Sequence, residues 1–416
     1  MGALRDFVRS AFAPRPAGRA PVPAAAHGPV DPVLLGLTVA LVAFGVVMVF
    51  SASTVFAQQR YHDAYFFLVR QSLYAASALL VMWVVSRLSP AMLRRLTYPA
   101  LGLSILLMVY IALGFGHRAG GAARWITVGP VHIQPAEMAK VALILWLAYS
   151  LSKKQETIRS FKIGFLPHLL VMGVLALLCL RQPDFGSATM IVLLTFVMLF
   201  AAGAKVGPIA LSIGGLSALG AILVWTSPMR MRRIEAFLDP FGHRQGSGYQ
   251  VAESIIAYGS GGATGLGIGE SRQKLFFLPE AHTDFISSIV GEELGFVGIA
   301  CLVFAYAWIV VRGVRVAFRA ADDYGTFLAI GVSMFIGMQA FTNLAVAMGL
   351  VPTKGLVLPF LSYGGSSLVV NAAAMGVLLG VSRAAEPEGA TNERRDPERR
   401  DARGARAQPV PAGGAV

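Results

Sequence analysis

The stretch VLLGLTVALVAFGVVMVFSAS, Val33–Ser53, carries no charge and no proline. A bilayer core of about 30 Å is crossed by roughly 20 apolar helical residues, so this run reads as a membrane-spanning helix. Nine further runs of the same kind follow, near 64–86, 96–115, 134–151, 164–181, 186–204, 206–226, 285–311, 324–350 and 361–382. The runs 285–311 and 324–350 are long enough to tilt or to include interfacial turns, and the 45 glycines suit close helix packing in lipid. The fold class expected is an all-α integral membrane protein of about ten transmembrane helices. A long extracytoplasmic loop, about 227–284, separates the seventh from the eighth.

Composition agrees. Of 416 residues 56% are hydrophobic and 14% charged, and the mean hydropathy is +0.64. Soluble proteins carry about 25% charged residues, so a water-soluble globule is excluded. The net charge of +13 points, in so apolar a chain, to basic cytoplasmic loops and anionic lipid rather than to nucleic acid. Cys179 and Cys301 lie far apart in apolar stretches without metal-ligand spacing, so neither a disulfide framework nor a zinc site is expected. Residues 1–31 form a basic Pro/Ala-rich tail without the apolar core of a signal peptide, and 383–416 cannot build a core and reads as a disordered tail. The membrane domain is 32–382.

Lys and Arg set the orientation. With the N-terminus inside, cytoplasmic segments hold 22 of the 35 basic residues and the short outer loops 5, which places both termini in the cytoplasm. Most unusual polar motifs then gather on the outer side. The long loop, lacking any hydrophobic span, reads as structureless and functional. Its tract Gly265-Leu-Gly267-Ile-Gly269 is no nucleotide loop, since neither a strand nor Gly-Lys-Ser/Thr accompanies it. The glycines instead suit tight turns against substrate or other helices.

The motifs are, in order, Arg124-Trp125, Gln134-Pro135-x-Glu137-x-x-Lys140, Gln182-Pro183-Asp184-x-Gly186, Phe237-Leu238-Asp239-Pro240, Gly259-Ser260-Gly261-Gly262 and Gln273-Lys274. Then come Leu278-Pro279-Glu280-x-His282-Thr283-Asp284-Phe285-Ile286, Gly291-Glu292-Glu293 and Pro359-Phe360-x-Ser362-Tyr363-Gly364-Gly365-Ser366-Ser367. Over about 33–382 the chain resembles the SEDS family, the FtsW and RodA proteins. Pro352-Thr353-Lys354-Gly355 looks more like the division branch, FtsW, than the elongation branch, RodA. Ala136, Tyr258 and Ser287-Ser288 depart from the residues usual in the family.

The resemblance implies a peptidoglycan glycosyltransferase in the cytoplasmic (inner) membrane that polymerises lipid II at its outer face, at the septum if the division branch holds. It further implies a class B penicillin-binding protein as transpeptidase partner, with other divisome proteins and membrane lipid around it and no nucleic acid. No cofactor is required by these motifs, although a divalent cation, Mg or Mn, is compatible with them. Two other classes stay open at this point: a flippase or transporter of lipid-linked sugars, and a non-enzymatic scaffold.

Glycan extension needs a base for the attacking sugar hydroxyl, cations for departing undecaprenyl pyrophosphate and a lipid groove. Asp284, at the end of the loop where an apolar run begins, reads either as a helix cap with Thr283 or as that base; the family places its catalytic aspartate at this motif position. Alternate residues Glu280, His282 and Asp284 also read as a metal trio or as substrate contacts. Arg124, Arg181, Lys274 and Lys354 are candidate cations, beside Arg230, Arg232 and Arg233, whose alternative is lipid phosphate. Trp125 offers a flat face to a sugar. Glu137 and Lys140 share a helix face, as substrate contacts or as an internal ion pair that Arg70 could join. Ser366 is a weaker hydroxyl candidate. The mechanism expected is base-assisted direct displacement with inversion and no covalent intermediate.

Overall fold

The computed structural model describes residues 28–384, apart from 120, 121 and 130. The expected tails 1–31 and 383–416 therefore fall almost wholly outside the described residues. In chain order the helices are α1 (Pro32–Tyr61), α2 (Phe66–Ser86), α3 (Pro90–Tyr110), α4 (Pro135–Lys153), α5 (Leu166–Arg181), α6 (Phe185–Ala201), α7 (Val206–Trp225), α8 (Pro228–Leu238), α9 (Tyr249–Gly261), α10 (Ile286–Arg319), α11 (Asp323–Ala347) and α12 (Gly365–Arg383). Among the described residues eight helices are long and apolar enough to cross a bilayer. The charged α4 and the 17-residue α6 complete the ten expected spans.

Side-chain caps set several starts. Asp31 accepts from the N–H of Val33 at 3.0 Å and of Leu34 at 3.1 Å to open α1, and Ser89 accepts from Met92 at 3.2 Å to open α3 at Pro90, earlier than the apolar run suggested. The 30 residues of α1 make about 45 Å of helix, longer than the lipid core, so its last turns stand clear of the hydrocarbon. Asp31 also pairs with Arg312 at 2.8 Å, and its N–H donates to Ser382 Oγ at 3.0 Å, which joins α1, α10 and α12 at one end of the bundle.

Two features depart from the expectation. The connection after α3 holds a three-stranded antiparallel sheet, β1 (His117–Ala119), β2 (Ala122–Val128) and β3 (Val131–Ile133), in the order β1-β2-β3. The long loop is not structureless either, because α8 and α9 lie within it. Both helices carry polar and apolar faces, too short or too polar to register as spans.

Helices α11 and α12 occupy the centre, packed against α10, α4, α6 and α2. At the edge, α7 buries Ile209 alone, and its remaining apolar surface suits lipid. Helix α10 is broken at Gly295, whose φ of 66° is left-handed. A β-carbon there would meet Gly265 N at 2.4 Å. The carbonyls freed at Glu292 and Glu293 accept from the N–H groups of Leu266 and Gly267 at 3.0 Å each, while Phe296 and Val297 donate to Gly262 and Ala263 at 2.9 and 3.1 Å. The glycine tract thus laces a helix break. Of the departures from family pattern, Tyr258 and Ser287-Ser288 meet here, since the Tyr258 ring packs over Gly291 with Ser287 and Ser288 beside its hydroxyl; two small residues make room for a large one.

Because the ten spans alternate, connections 62–65, 111–134, 182–184, 226–285 and 348–364 all fall at one end of the bundle. That end carries the candidate site.

Candidate active site

The α5–α6 corner forms one wall. Asp184 caps α6 by accepting from Ser187 N at 3.0 Å and Ser187 Oγ at 2.8 Å, and Gln182 Nε2 donates to Met108 O at 3.0 Å, fastening the corner to α3. Strand β2 brings Arg124 over this corner, where its guanidinium donates to the carbonyls of Gln182, at 3.2 Å, and Pro183. A guanidinium has five N–H groups, so others stay available to an anion. Gln134 joins the corner to α12: its N–H donates to Ser366 Oγ at 3.1 Å and its Nε2 approaches Asp184 at 3.4 Å.

Asp284 lies one residue before the cap position of α10, within the field of Arg124. Its carboxyl is half-buried. Burial first, and the charge of Glu280 second, raise its pKa from 3.8 to about 7, against the lowering field of Arg124. The carboxyl faces Gly355, where a β-carbon would stand 3.1 Å from Oδ2. Beside Gly355, Lys354 donates from Nζ to Thr189 Oγ1 at 3.2 Å. Burial holds this ammonium below its usual pKa, so an arriving anion would relieve its desolvation. Glu280 is exposed and accepts from Thr283 Oγ1 at 2.7 Å.

His282 projects into an aromatic group rather than toward a cation. Its ring centroid lies 4.7 Å from that of Phe67 and 5.7 Å from those of Phe56 and Tyr363. Burial, opposed by Glu280, lowers its pKa, which keeps the imidazole neutral near pH 7. Its carbonyl accepts from Tyr363 N at 2.9 Å. The metal-trio reading of Glu280, His282 and Asp284 fails on this geometry, and among the described residues no three His, Cys, Asp or Glu side chains converge on a metal position.

Arg124, Glu280, Asp284, Lys354 and Ser366 therefore stand on the segments that border one site, with His282 behind them. Trp125 is half-buried on β2 opposite His117, and Arg181 is exposed at the end of α5. Lys274 goes elsewhere: its Nζ pairs with Glu293 at 3.2 Å, approaches Ser51 Oγ at 3.4 Å and donates to Gly269 O. The fully buried Glu293 needs that counter-charge, so Lys274 is not among the residues brought together around Asp284. Glu137 and Lys140 pair with each other at 2.7 Å inside the bundle, almost without exposure, the internal-pair alternative. Arg70 does not join them; it lies 4.2 Å over the Phe66 ring and beside Tyr363.

The sequence reading missed Asn343 and the cover formed by Gly355. A lone asparagine inside the apolar run 324–350 was the available signal, because a buried polar side chain in a membrane helix is costly and needs a reason.

Over residues 32–386 the chain matches the cell cycle protein family FtsW/RodA/SpoVE. It is 48% identical over 356 residues to a protein of Geobacter sp. (strain M18) named as a probable peptidoglycan glycosyltransferase FtsW, covering 85% of this chain and 96% of that one. It is 41% identical over 355 residues to stage V sporulation protein E of Bacillus subtilis (strain 168), covering 85% and 97%. Among solved structures, a chain of a peptidoglycan synthase complex that coordinates polymerization and crosslinking matches with a TM-score of 0.70 and 30% identity, covering 85% of this chain and 98% of that one. The rod shape determining protein RodA of Thermus thermophilus matches with a TM-score of 0.64 and 29% identity, covering 86% and 98%. Both the motifs and the fold are accounted for by one statement: this multi-pass membrane chain belongs to the FtsW/RodA/SpoVE family.

Proposed function

We propose that the chain is a peptidoglycan glycosyltransferase that polymerises lipid II at the outer face of the inner membrane, in septal wall synthesis, together with a class B penicillin-binding protein. The observation that carries the reading is the half-buried Asp284 carboxyl, raised to about 7 and opposed across the site by the guanidinium of Arg124. The preference of Lys and Arg for the other loops supports an external position for this end. The FtsW names of the relatives support the septal role, and likeness to a chain of a synthase complex supports the transpeptidase partner.

In the reaction the acceptor sugar hydroxyl attacks the anomeric carbon of the donor. Asp284 accepts the hydroxyl proton as the new C–O bond forms, and the bond from that carbon to the pyrophosphate oxygen breaks on the opposite face. The departing pyrophosphate keeps the electron pair and gains charge, which Arg124 and Lys354 stabilise. One displacement inverts the anomeric centre. A transporter needs intramembrane charges that can exchange partners, whereas Glu137 and Lys140 hold each other.

The test gives labelled lipid II to the purified protein, with and without its penicillin-binding partner, and sizes the glycan on gels. Wild type is expected to make polymer and Asp284→Asn to lose about two orders of magnitude in rate while remaining folded. Normal polymer from that variant removes Asp284 as the base; lipid II crossing liposomes with no polymer makes the chain a flippase.

A further inference from the structure

The two segments that carry Asp284 and Lys354 are far apart in sequence, and one side chain beneath them holds both. Asn343 of α11 is 1% exposed. Its Nδ2 donates to the carbonyl of Asp284 at 2.8 Å and to that of Leu356 at 2.6 Å, while Oδ1 faces Ser287 Oγ at 3.5 Å. An amide nitrogen has two hydrogens, and here each meets its own carbonyl. Aspartate has no donor to offer, serine has one, and glutamine reaches too far by a methylene.

Leu356 closes a tight turn by donating its N–H to Lys354 O at 3.0 Å. That turn sets Gly355 against the Asp284 carboxyl and sends Lys354 toward Thr189. A second tie, Tyr363 N to His282 O at 2.9 Å, joins the same two segments further along. The bonds of Asn343 therefore fix how far the carboxyl stands from its cover and from the ammonium beside that cover.

We propose that Asn343 is a positioning residue, clamping the segment that bears Asp284 to the turn that bears Lys354 and Gly355. Its chemical meaning rests on the polymerase reading, whereas the clamp itself rests on hydrogen bonds alone. A misplacement of about 1 Å can cost on the order of a hundredfold in rate. Around the carboxyl stand Glu280 on its own segment, Arg124 on β2 and Gly355 on the clamped turn next to Lys354, with neutral His282 two residues before it. Release of the turn admits water to the carboxyl, and its proton affinity falls toward that of an ordinary carboxylate.

Full-length protein and its Asn343→Ser and Asn343→Gln variants are compared in two measurements. Dicyclohexylcarbodiimide, which reacts with protonated carboxyls in apolar surroundings, is used to label Asp284 across a pH series, read by mass spectrometry; lipid II polymerisation is followed over the same series. The expected result is a labelling midpoint lowered by about one pH unit and a rate reduced about a hundredfold, in protein whose folded fraction matches wild type. A midpoint that stays at the wild-type value, with activity lost only in proportion to folded protein, makes Asn343 merely structural and overturns the proposal. Wild type that labels normally yet makes no polymer overturns the polymerase reading instead, and the midpoint shift still decides the clamp.

Discussion

Gly355 and Asp284 face each other so closely that a methyl group on the glycine would stand 3.1 Å from the aspartate Oδ2. The neighbour would have to give by a few tenths of an ångström. Gly355→Ala is expected to lower the polymerisation rate about tenfold with little change in stability, and Gly355→Val to lower it further. Initial rates and thermal unfolding of the two variants check this; wild-type rates from both would show that the cover is irrelevant.

The raised Asp284 carboxyl sets opposite trends for activity and stability. A base must be ionised, so the rate is expected to rise with pH through about 7. Stability runs the other way. A carboxyl whose folded pKa exceeds its unfolded value, ordinarily 3.8, contributes stability that is fully present below the unfolded value and is lost as pH rises through about 7. Asp284→Asn is thus expected to unfold at a higher temperature than wild type at pH 8 and at the same temperature near pH 4. Glu280→Gln, which removes the second cause of the shift, moves the midpoint of the rate profile downward.

The Glu137–Lys140 pair is a pin inside the bundle. Removing one partner strands the other charge, and Lys140→Met is expected to destabilise by about 3–5 kcal/mol. Exchanging both, Glu137→Met with Lys140→Met, is expected to recover most of that loss in thermal unfolding, because an apolar pair carries no desolvation cost. A double variant that unfolds as readily as the single one would assign the pair a role beyond mutual neutralisation.

At Gly295 a side chain meets backbone atoms on the neighbouring turn, and the left-handed φ disfavours any L-residue. Gly295→Ala is expected to cost on the order of 1–3 kcal/mol, visible as a lowered unfolding temperature, with loss of polymer following from displacement of the α10 start. An unchanged unfolding temperature would place the break elsewhere.

How much of this was legible follows from where each signal lies. The ten spans announce themselves as long apolar runs with few charges, and Asp284, Arg124 and Lys354 announce themselves as motif positions. The last turns of α1 did not, because Thr54–Tyr61 mixes polar and apolar residues once the helix leaves the lipid. The sheet at 117–133 was missed because two of its strands are only three residues long. The pairing of Lys274 with Glu293 was not legible, because the helix break two residues beyond Glu293, where the glycine tract packs, leaves no pattern of hydrophobicity. Asn343 stood out as a polar residue in an apolar run, but its partners did not: it serves backbone carbonyls, which leave no trace in the identity of the residues they belong to.

The broken α10 has a mechanical consequence. Its first turns, Ile286–Glu293, are enclosed by protein, whereas beyond Gly295 the rod meets lipid through Phe296, Val297, Val303 and Phe304. The break thus divides the helix into a stub that carries the Asp284 segment inside protein and a rod that faces the hydrocarbon, and the four backbone bonds from the glycine tract splint the junction between them.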